Sequence, residues 1–259
     1  MAQSPSWRRP LIRLFITSKL GIQIRRFPLL QRLKLIYPVK LIWNRFKEIG
    51  DTEAPIFWTG SGSRLRELAY GISAEDAWKS AGIEWVQDYI LLGLQSEQHR
   101  DWHVVEIGCG PGRMLAEMAT MFELVTGVDF SPDMVKYTRS RFRHLNNVKI
   151  LLNDGKAIPM KTASVDLVYS VLALQHMNRE AVESYFSEAS RVLRPSGIFR
   201  FQTRWDIEQR NANYMDRYFL SKQDVQDLAK HNGFEIIDYQ HGLAHELFHW
   251  FTLRKVNEE

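Results

Sequence analysis

From residue 102 onward, short apolar runs alternate with stretches whose apolar positions recur every three or four residues. His103-Val104-Val105-Glu106-Ile107 reads as a buried strand and Arg113 to Phe122 as a helix. Leu124 to Val128 is a second strand. Ser131-Pro132 opens the next helix, with Ser at the N-cap and Pro at the first helical position. Val148 to Leu152 and Val165 to Tyr169 are the third and fourth strands. A helix over 179–193 is closed by Pro195 and Gly197, and Ile198 to Thr203 is the fifth strand. Ser221 with Asp224 makes a capping box, and Phe234 to Tyr239 and Leu247 to Arg254 are two late strands. Strands alternating with helices predict an α/β domain with seven strands in a mostly parallel sheet.

Upstream the pattern changes. Residues 51–62 carry turn signals (Gly50-Asp51, Pro55 and Gly60-Ser61-Gly62) and read as a linker or lid. Ser73 with Asp76 makes another capping box, and Trp78, Trp85 and Tyr89 lie at a spacing that suits core better than substrate wall. The expected organisation is a basic amphipathic arm over 1–50, a helical cap or linker over 51–98, and the α/β body over 99–259.

Charge sharpens that division. Residues 1–50 hold 11 of the 34 Lys and Arg but only one of the 30 Asp and Glu, Glu48. The rest of the chain is therefore net acidic, and the overall charge of +4 describes neither part. Pro28 and Pro38 divide the arm into short pieces. Arg13 and Lys19 interrupt its apolar stretches, against a secretory signal or a membrane span. An acid-free segment with Trp7, Phe15, Phe27, Tyr37, Trp43 and Phe46 among its cations suits an anionic membrane surface. A packed extension or a mitochondrial targeting segment fits the same composition. One cysteine, Cys109, excludes an internal disulfide, and a cytoplasmic protein, peripheral to a membrane through residues 1–47, is the expected setting. The acidic remainder argues against nucleic acid as a partner.

The segment richest in chemistry is Glu106-Ile107-Gly108-Cys109-Gly110-Pro111-Gly112, three glycines between a strand and a helix. At the carboxyl end of a parallel strand, such glycines let backbone approach a ligand that a Cβ would repel. Asp129 ends the next strand, where a carboxylate can accept from both ribose hydroxyls. The spacing G-x-G-x-G departs from the dinucleotide fingerprint G-x-G-x-x-G. Glu106 would repel a pyrophosphate but favour a ligand bearing an ammonium group.

This segment resembles the first motif of the class I S-adenosylmethionine-dependent methyltransferases. Val128-Asp129-Phe130-Ser131-Pro132-Asp133-Met134 resembles their second. Asn153-Asp154-Gly155, Ser164-Val165-Asp166-Leu167-Val168 and Val192-Leu193-Arg194-Pro195-Ser196-Gly197 resemble later ones, in order, over roughly residues 100–255. The resemblance implies a Rossmann-like, doubly wound sheet with a helical N-terminal extension. It also implies S-adenosylmethionine as cofactor, S-adenosylhomocysteine as product, and no metal. Glu106, Gly108, Cys109, Gly110 and Gly112 would border its amino-acid and ribose portions, with Cys109 a buried filler. Asp129 would take the ribose, Phe130 and Met134 would flank the adenine, Asp154 and Gly155 would meet the adenine edge, and Ser170 would border the methyl group.

Methyl transfer from sulfonium needs in-line placement above all, and a base only if the acceptor arrives protonated. His176 is the candidate base, with Gln175 beside it. His241, His245 and His249 cross a strand boundary and Gly242, against a single metal-binding face. Ser170-Val171-Leu172-Ala173 stands where amino-group methylases of nucleic acid carry Asn/Asp-Pro-Pro-aromatic, which favours a small-molecule or lipid-like acceptor. The alternatives are a non-catalytic S-adenosylmethionine-binding protein acting through its arm, an RNA or protein methyltransferase, and a nicotinamide oxidoreductase. Trp58, Tyr70, Trp78, Trp205, Tyr214 and Tyr218 are candidate acceptor walls.

Overall fold

The computed structural model describes residues 75–94, 99–204 and 220–257. The basic arm, the linker, Ser73, the side chain of Trp78 and the candidate walls Trp58, Tyr70, Trp205, Tyr214 and Tyr218 lie outside the described residues.

The seven predicted strands form one sheet. In chain order they are β1 (His103–Ile107), β2 (Leu124–Asp129), β3 (Val148–Leu152), β4 (Val165–Ser170), β5 (Leu193–Arg204), β6 (Phe234–His241) and β7 (Phe248–Lys255). Their spatial order is β3-β2-β1-β4-β5-β7-β6. The first five are parallel, and β7 runs antiparallel to both β5 and β6. The helices are α1 (Glu75–Glu84), continued by a π-helical turn over Trp85–Ile90, α2 (Leu115–Met121), α3 (Pro132–Phe142), α4 (Arg179–Val192) and α5 (Lys222–His231).

Parallel strands covered on both faces are apolar throughout, which is why they read as continuous runs. One face packs Val105, Ile107, Val168, Phe199, Phe201 and Phe251 against α4 and α5. The other packs Val104, Tyr169 and Trp250 against α2, α3 and the turn carrying Val86 and Ile90. The caps fall where the sequence placed them. Ser131 Oγ accepts from Met134 N at 3.3 Å, and Ser221 and Asp224 form the reciprocal box. Asn178, which carried no comparable signal beforehand, accepts from Ala181 N at 2.9 Å.

Two boundaries differ from the sequence reading. The helix expected from Arg113 begins at Leu115, because residues 110–114 are spent in a turn whose glycines have positive φ. β5 begins at Leu193, directly after α4, where a shift in its pairing with β4 and a left-handed Ser196 absorb the Pro195-Gly197 break.

Arg200, on β5 and 1% exposed, fastens the N-terminal helical segment to the sheet. Its Nε and Nη2 donate to the Tyr89 carbonyl at 3.0 and 2.7 Å, and Nη1 donates to Thr252 Oγ1. The guanidinium lies over the Trp250 ring, 3.6 Å from Asp238 Oδ2. Truncation strands a buried carbonyl as well as losing charged hydrogen bonds. Arg200→Ala should lower unfolding free energy by about 2–4 kcal/mol in urea denaturation. Arg254→Ala, at an exposed site on β7, should change it by less than about 0.5 kcal/mol.

Candidate functional site

The carboxyl ends of β1, β2 and β4 meet at the point where strand order reverses, the usual position of a ligand crevice in an open α/β sheet. The glycine loop leaves β1 here. Gly108, Gly110 and Gly112 have φ of +71°, +50° and +79°, a region that suits glycine alone without strain. The amides of Gly108 and Cys109 both donate to the Val128 carbonyl, at 2.8 and 3.0 Å, and pin the loop to the end of β2.

Two of the three glycines have a packing requirement in addition to the ligand approach expected of them. A Cβ on Gly108 would lie 2.5 Å from the Cβ of Ala173, and one on Gly112 would lie 2.3 Å from Phe142 and 3.0 Å from Thr138. These positions admit protein: the loop after β4 in one case and α3 in the other. Gly127 likewise makes room for the Sγ of Cys109, which is buried as expected, its thiol pKa raised by burial. Gly82 lets α1 approach the carbonyl of Arg113.

Asp129 faces the loop. Its Oδ2 accepts from Gly110 N at 2.8 Å and its Oδ1 from Ser131 N at 2.9 Å. Burial pushes this carboxyl up, opposed by the amides of Ser131, Gly110 and Phe130. With three amides on about four acceptor positions, the carboxylate retains acceptor capacity for a ligand hydroxyl. Thr138 Oγ1 donates to the Gly110 carbonyl at 2.7 Å and completes the frame.

Glu106 stands near the carboxyl end of β1, just before the glycine loop. It is fully buried and pairs in register with Tyr169 on β4. Tyr169 donates its hydroxyl to Glu106 Oε2 at 2.9 Å, while Oε1 finds no hydrogen-bond partner among the described residues. Burial pushes the carboxyl up to about 8, against the opposing influence of Tyr169 and Arg113 and with help from Asp129. Arg113 is itself buried and lies under the Trp85 ring, 4.9 Å from its centroid. Tyr169 and Arg113 were not singled out beforehand. The matching position of Glu106 and Tyr169 in adjacent parallel strands is the signal that could have found the first.

The remaining site residues divide. Phe130 is half-buried beside Asp129, and Met134 is buried in α3. Asp154 is exposed, and its Oδ1 accepts from the amides of Lys156 and Ala157 at 2.9 and 2.8 Å. Those amides, Ala157 first, hold its carboxyl below the usual range. Gly155 has φ +83° and stands against Phe130. Asp129, Phe130, Asp154 and Gly155 are thus neighbours at the ends of β2 and β3. Ser170 is fully buried and donates to the Ile107 carbonyl at 3.2 Å, so its hydroxyl ties β4 to β1. Gln175 is buried and His176 half-buried on a short 3-10 turn over Leu174–His176. Of the three late histidines, His249 is buried, bonded through Nδ1 to the Tyr239 hydroxyl at 2.9 Å and stacked on His241. His245 accepts from the Leu247 amide within its own turn.

A separate hollow of about 510 Å³, bordered by His103, Asn147, Lys149 and Arg194, lies at the opposite, amino-terminal edge of the sheet.

Comparison with known proteins agrees with the geometry. The family model described as a methyltransferase domain matches residues 104–197. An O-methyltransferase of Penicillium expansum, cnsE, is 25% identical over 63% of this chain and 64% of its own length. A malonyl-[acyl-carrier protein] O-methyltransferase of Hahella chejuensis is 31% identical over 49% of this chain and 48% of its own. The chain thus spans between about half and two thirds of the length of these relatives. Among solved structures, geranyl diphosphate C-methyltransferase from Streptomyces coelicolor superposes with a TM-score of 0.60 at 15% identity, over 79% of this chain and 97% of that one. The [4+2]-cyclase SpnF superposes at 0.57 with 16% identity, over 82% and 96%.

The Glu106 environment predicts a pH signature without any ligand. A native pKa of about 8 means that the folded chain keeps a proton which the unfolded chain loses near the ordinary carboxyl pKa of 4.5. Its contribution to stability therefore falls as pH rises from about 4.5 to 8. In thermal unfolding, Glu106→Gln should gain stability relative to wild type between pH 5 and 8.5. A difference that stays constant across that range would show that the carboxyl titrates normally.

Proposed function

We propose that this protein is a class I S-adenosylmethionine-dependent methyltransferase that moves a methyl group from S-adenosylmethionine to a small-molecule or lipid-like acceptor, a reading supported by the match of residues 104–197 to the methyltransferase-domain model. The observation that carries the reading is Glu106 Oε1, a buried carboxylate oxygen left without a partner beside the glycine loop. Once the carboxyl has released its proton, a ligand ammonium group supplies what that oxygen lacks.

The other residues fit the same nucleoside. Asp129 offers its remaining acceptor capacity to a ribose hydroxyl. The backbone of Gly108, Cys109, Gly110 and Gly112 borders the amino-acid and ribose portions. Phe130 flanks the base, with Met134 behind it, and Asp154 and Gly155 stand at its edge. Ser170 marks the end of the crevice nearest β5. When bound, the sulfonium supplies a methyl group whose transfer sends the C–S electron pair to sulfur and leaves a neutral thioether. The chain's task is alignment and exclusion of water. His176, on the turn after β4, is the candidate to take a proton from a hydroxyl or amine acceptor, and a carbon or already ionised acceptor needs no such help.

Relatives of this chain are named for small acceptors such as malonyl-[acyl-carrier protein] and geranyl diphosphate, which supports that acceptor class here. The arm over residues 1–47 adds an anionic membrane surface as partner, and with it a cytoplasmic, membrane-peripheral location. Its acid-free run of cations and interspersed aromatics is the support for this.

Calorimetry tests the cofactor. S-adenosylhomocysteine should bind and NAD should not. Since Glu106 must release its proton to pair with an ammonium, affinity should rise with pH up to about 8 and fall again as the ligand's own ammonium loses its proton. Glu106→Gln should abolish that rise. Radiolabelled S-adenosylmethionine incubated with extracts of small molecules and lipids then tests turnover. Label should enter extractable product, and binding without any transfer would favour the non-catalytic alternative. Vesicle flotation tests the arm. The full chain should float with vesicles containing about one-third phosphatidylserine, be released by about 0.5 M salt, and ignore phosphatidylcholine vesicles. Equal flotation with both would overturn the electrostatic reading.

A further inference from the structure

Four non-glycine residues among those described have a left-handed backbone: Ala163, Leu172, Ser196 and Ala244. Three are small. Leu172, with φ +55°, carries a bulky branched side chain in a conformation that crowds Cβ against the backbone. Glycine would adopt it without strain. Such strain persists only where the surroundings over-determine it, and it gathers at functional sites.

The surroundings here are specific. Leu172 N donates to Gln202 Oε1 at 3.0 Å. Gln202 lies on β5, 1% exposed, and its amide group donates to Gln175 Oε1 at 3.3 Å and to the Thr203 carbonyl at 2.8 Å. On the other side, Ala173 fills the space that a Cβ on Gly108 would need. The loop after β4 is therefore clamped between an amide from β5 and the glycine loop of β1. Sheet order places β4 between those two strands. A nucleoside whose ribose meets Asp129 on β2, and whose amino-acid end meets Glu106 on β1, has its sulfur next to this loop. Leu172 is half-buried there, packed in part on the core cluster of Tyr169, Val171 and Trp250.

We propose that Leu172 is held in its left-handed conformation so that its side chain forms an apolar wall against the methyl-bearing sulfur, and that Gln202 is the positioning residue that keeps it there. The inference rests on the nucleoside-binding reading above. Transfer discharges the sulfonium, so a wall without dipoles is matched to the neutral thioether better than to the cation. It also keeps water, a competing acceptor, away from the methyl group. A branched hydrocarbon does both, and glycine would do neither. That difference accounts for a leucine where the backbone favours glycine.

The test compares affinities for S-adenosylmethionine and S-adenosylhomocysteine on the full chain by calorimetry. The two ligands differ only in the methyl group and its charge. Leu172→Gly and Leu172→Asn both suit the left-handed backbone, and both admit water to the sulfur. Each should tighten S-adenosylmethionine relative to S-adenosylhomocysteine by at least about threefold. Gln202→Leu, which removes the acceptor for the Leu172 amide, should shift the ratio in the same direction. Thermal unfolding of all three variants confirms that each is folded. A general packing role would weaken both ligands together. An unmoved ratio in both Leu172 variants, or one shifted toward S-adenosylhomocysteine, overturns the inference. If wild type binds neither ligand, the nucleoside reading itself fails, and the two failures are thereby distinguished.

Discussion

A carboxyl group sealed from water must find a cation, find hydrogen-bond donors, or keep its proton. Glu106 has one donor, Tyr169, and a second oxygen left over, and its pKa stands at about 8 as a result. The crevice at the switch point is built around this incomplete pairing. The strand register that faces Glu106 with Tyr169 creates it, and α1 and the π-helical turn seal it by covering Arg113.

Most of the sheet was legible beforehand for a simple reason. Its central strands are covered on both faces, so they appear as apolar runs long enough to recognise and short enough not to be helices. Side-chain caps were legible where Ser131 and Ser221 announced them. The start of α2 was not, because Arg113 and Met114 have good helix propensity. What keeps them out of the helix is the pinning of the glycine loop to Val128, a contact between strands that no local pattern records. The early start of β5 has the same origin: pairing with β4 overrides the Pro195-Gly197 signal.

The site was legible in its residue types and less so in its reasons. Glycines at 108 and 112 were expected to make room for a ligand, and the structure adds a second reason for them: each also makes room for protein, Ala173 in one case and α3 in the other. The second reason matters because close protein packing makes the loop rigid before any ligand arrives, and a preorganised loop gives up less on binding. Gln202 shows the converse. A glutamine in a strand looks like an outward-facing polar residue until the fold buries it and gives its amide three partners.

These contacts divide the crevice into two regimes. At the β1–β2 end, the loop is fixed by backbone hydrogen bonds and by positive-φ glycines packed against protein. At the β4–β5 end, the loop is fixed by side chains, Gln202 and Gln175 foremost, which substitution can alter one at a time. A fold shared with a geranyl diphosphate C-methyltransferase and with a [4+2]-cyclase is what such a division permits: the main-chain end can stay constant while the side-chain end varies.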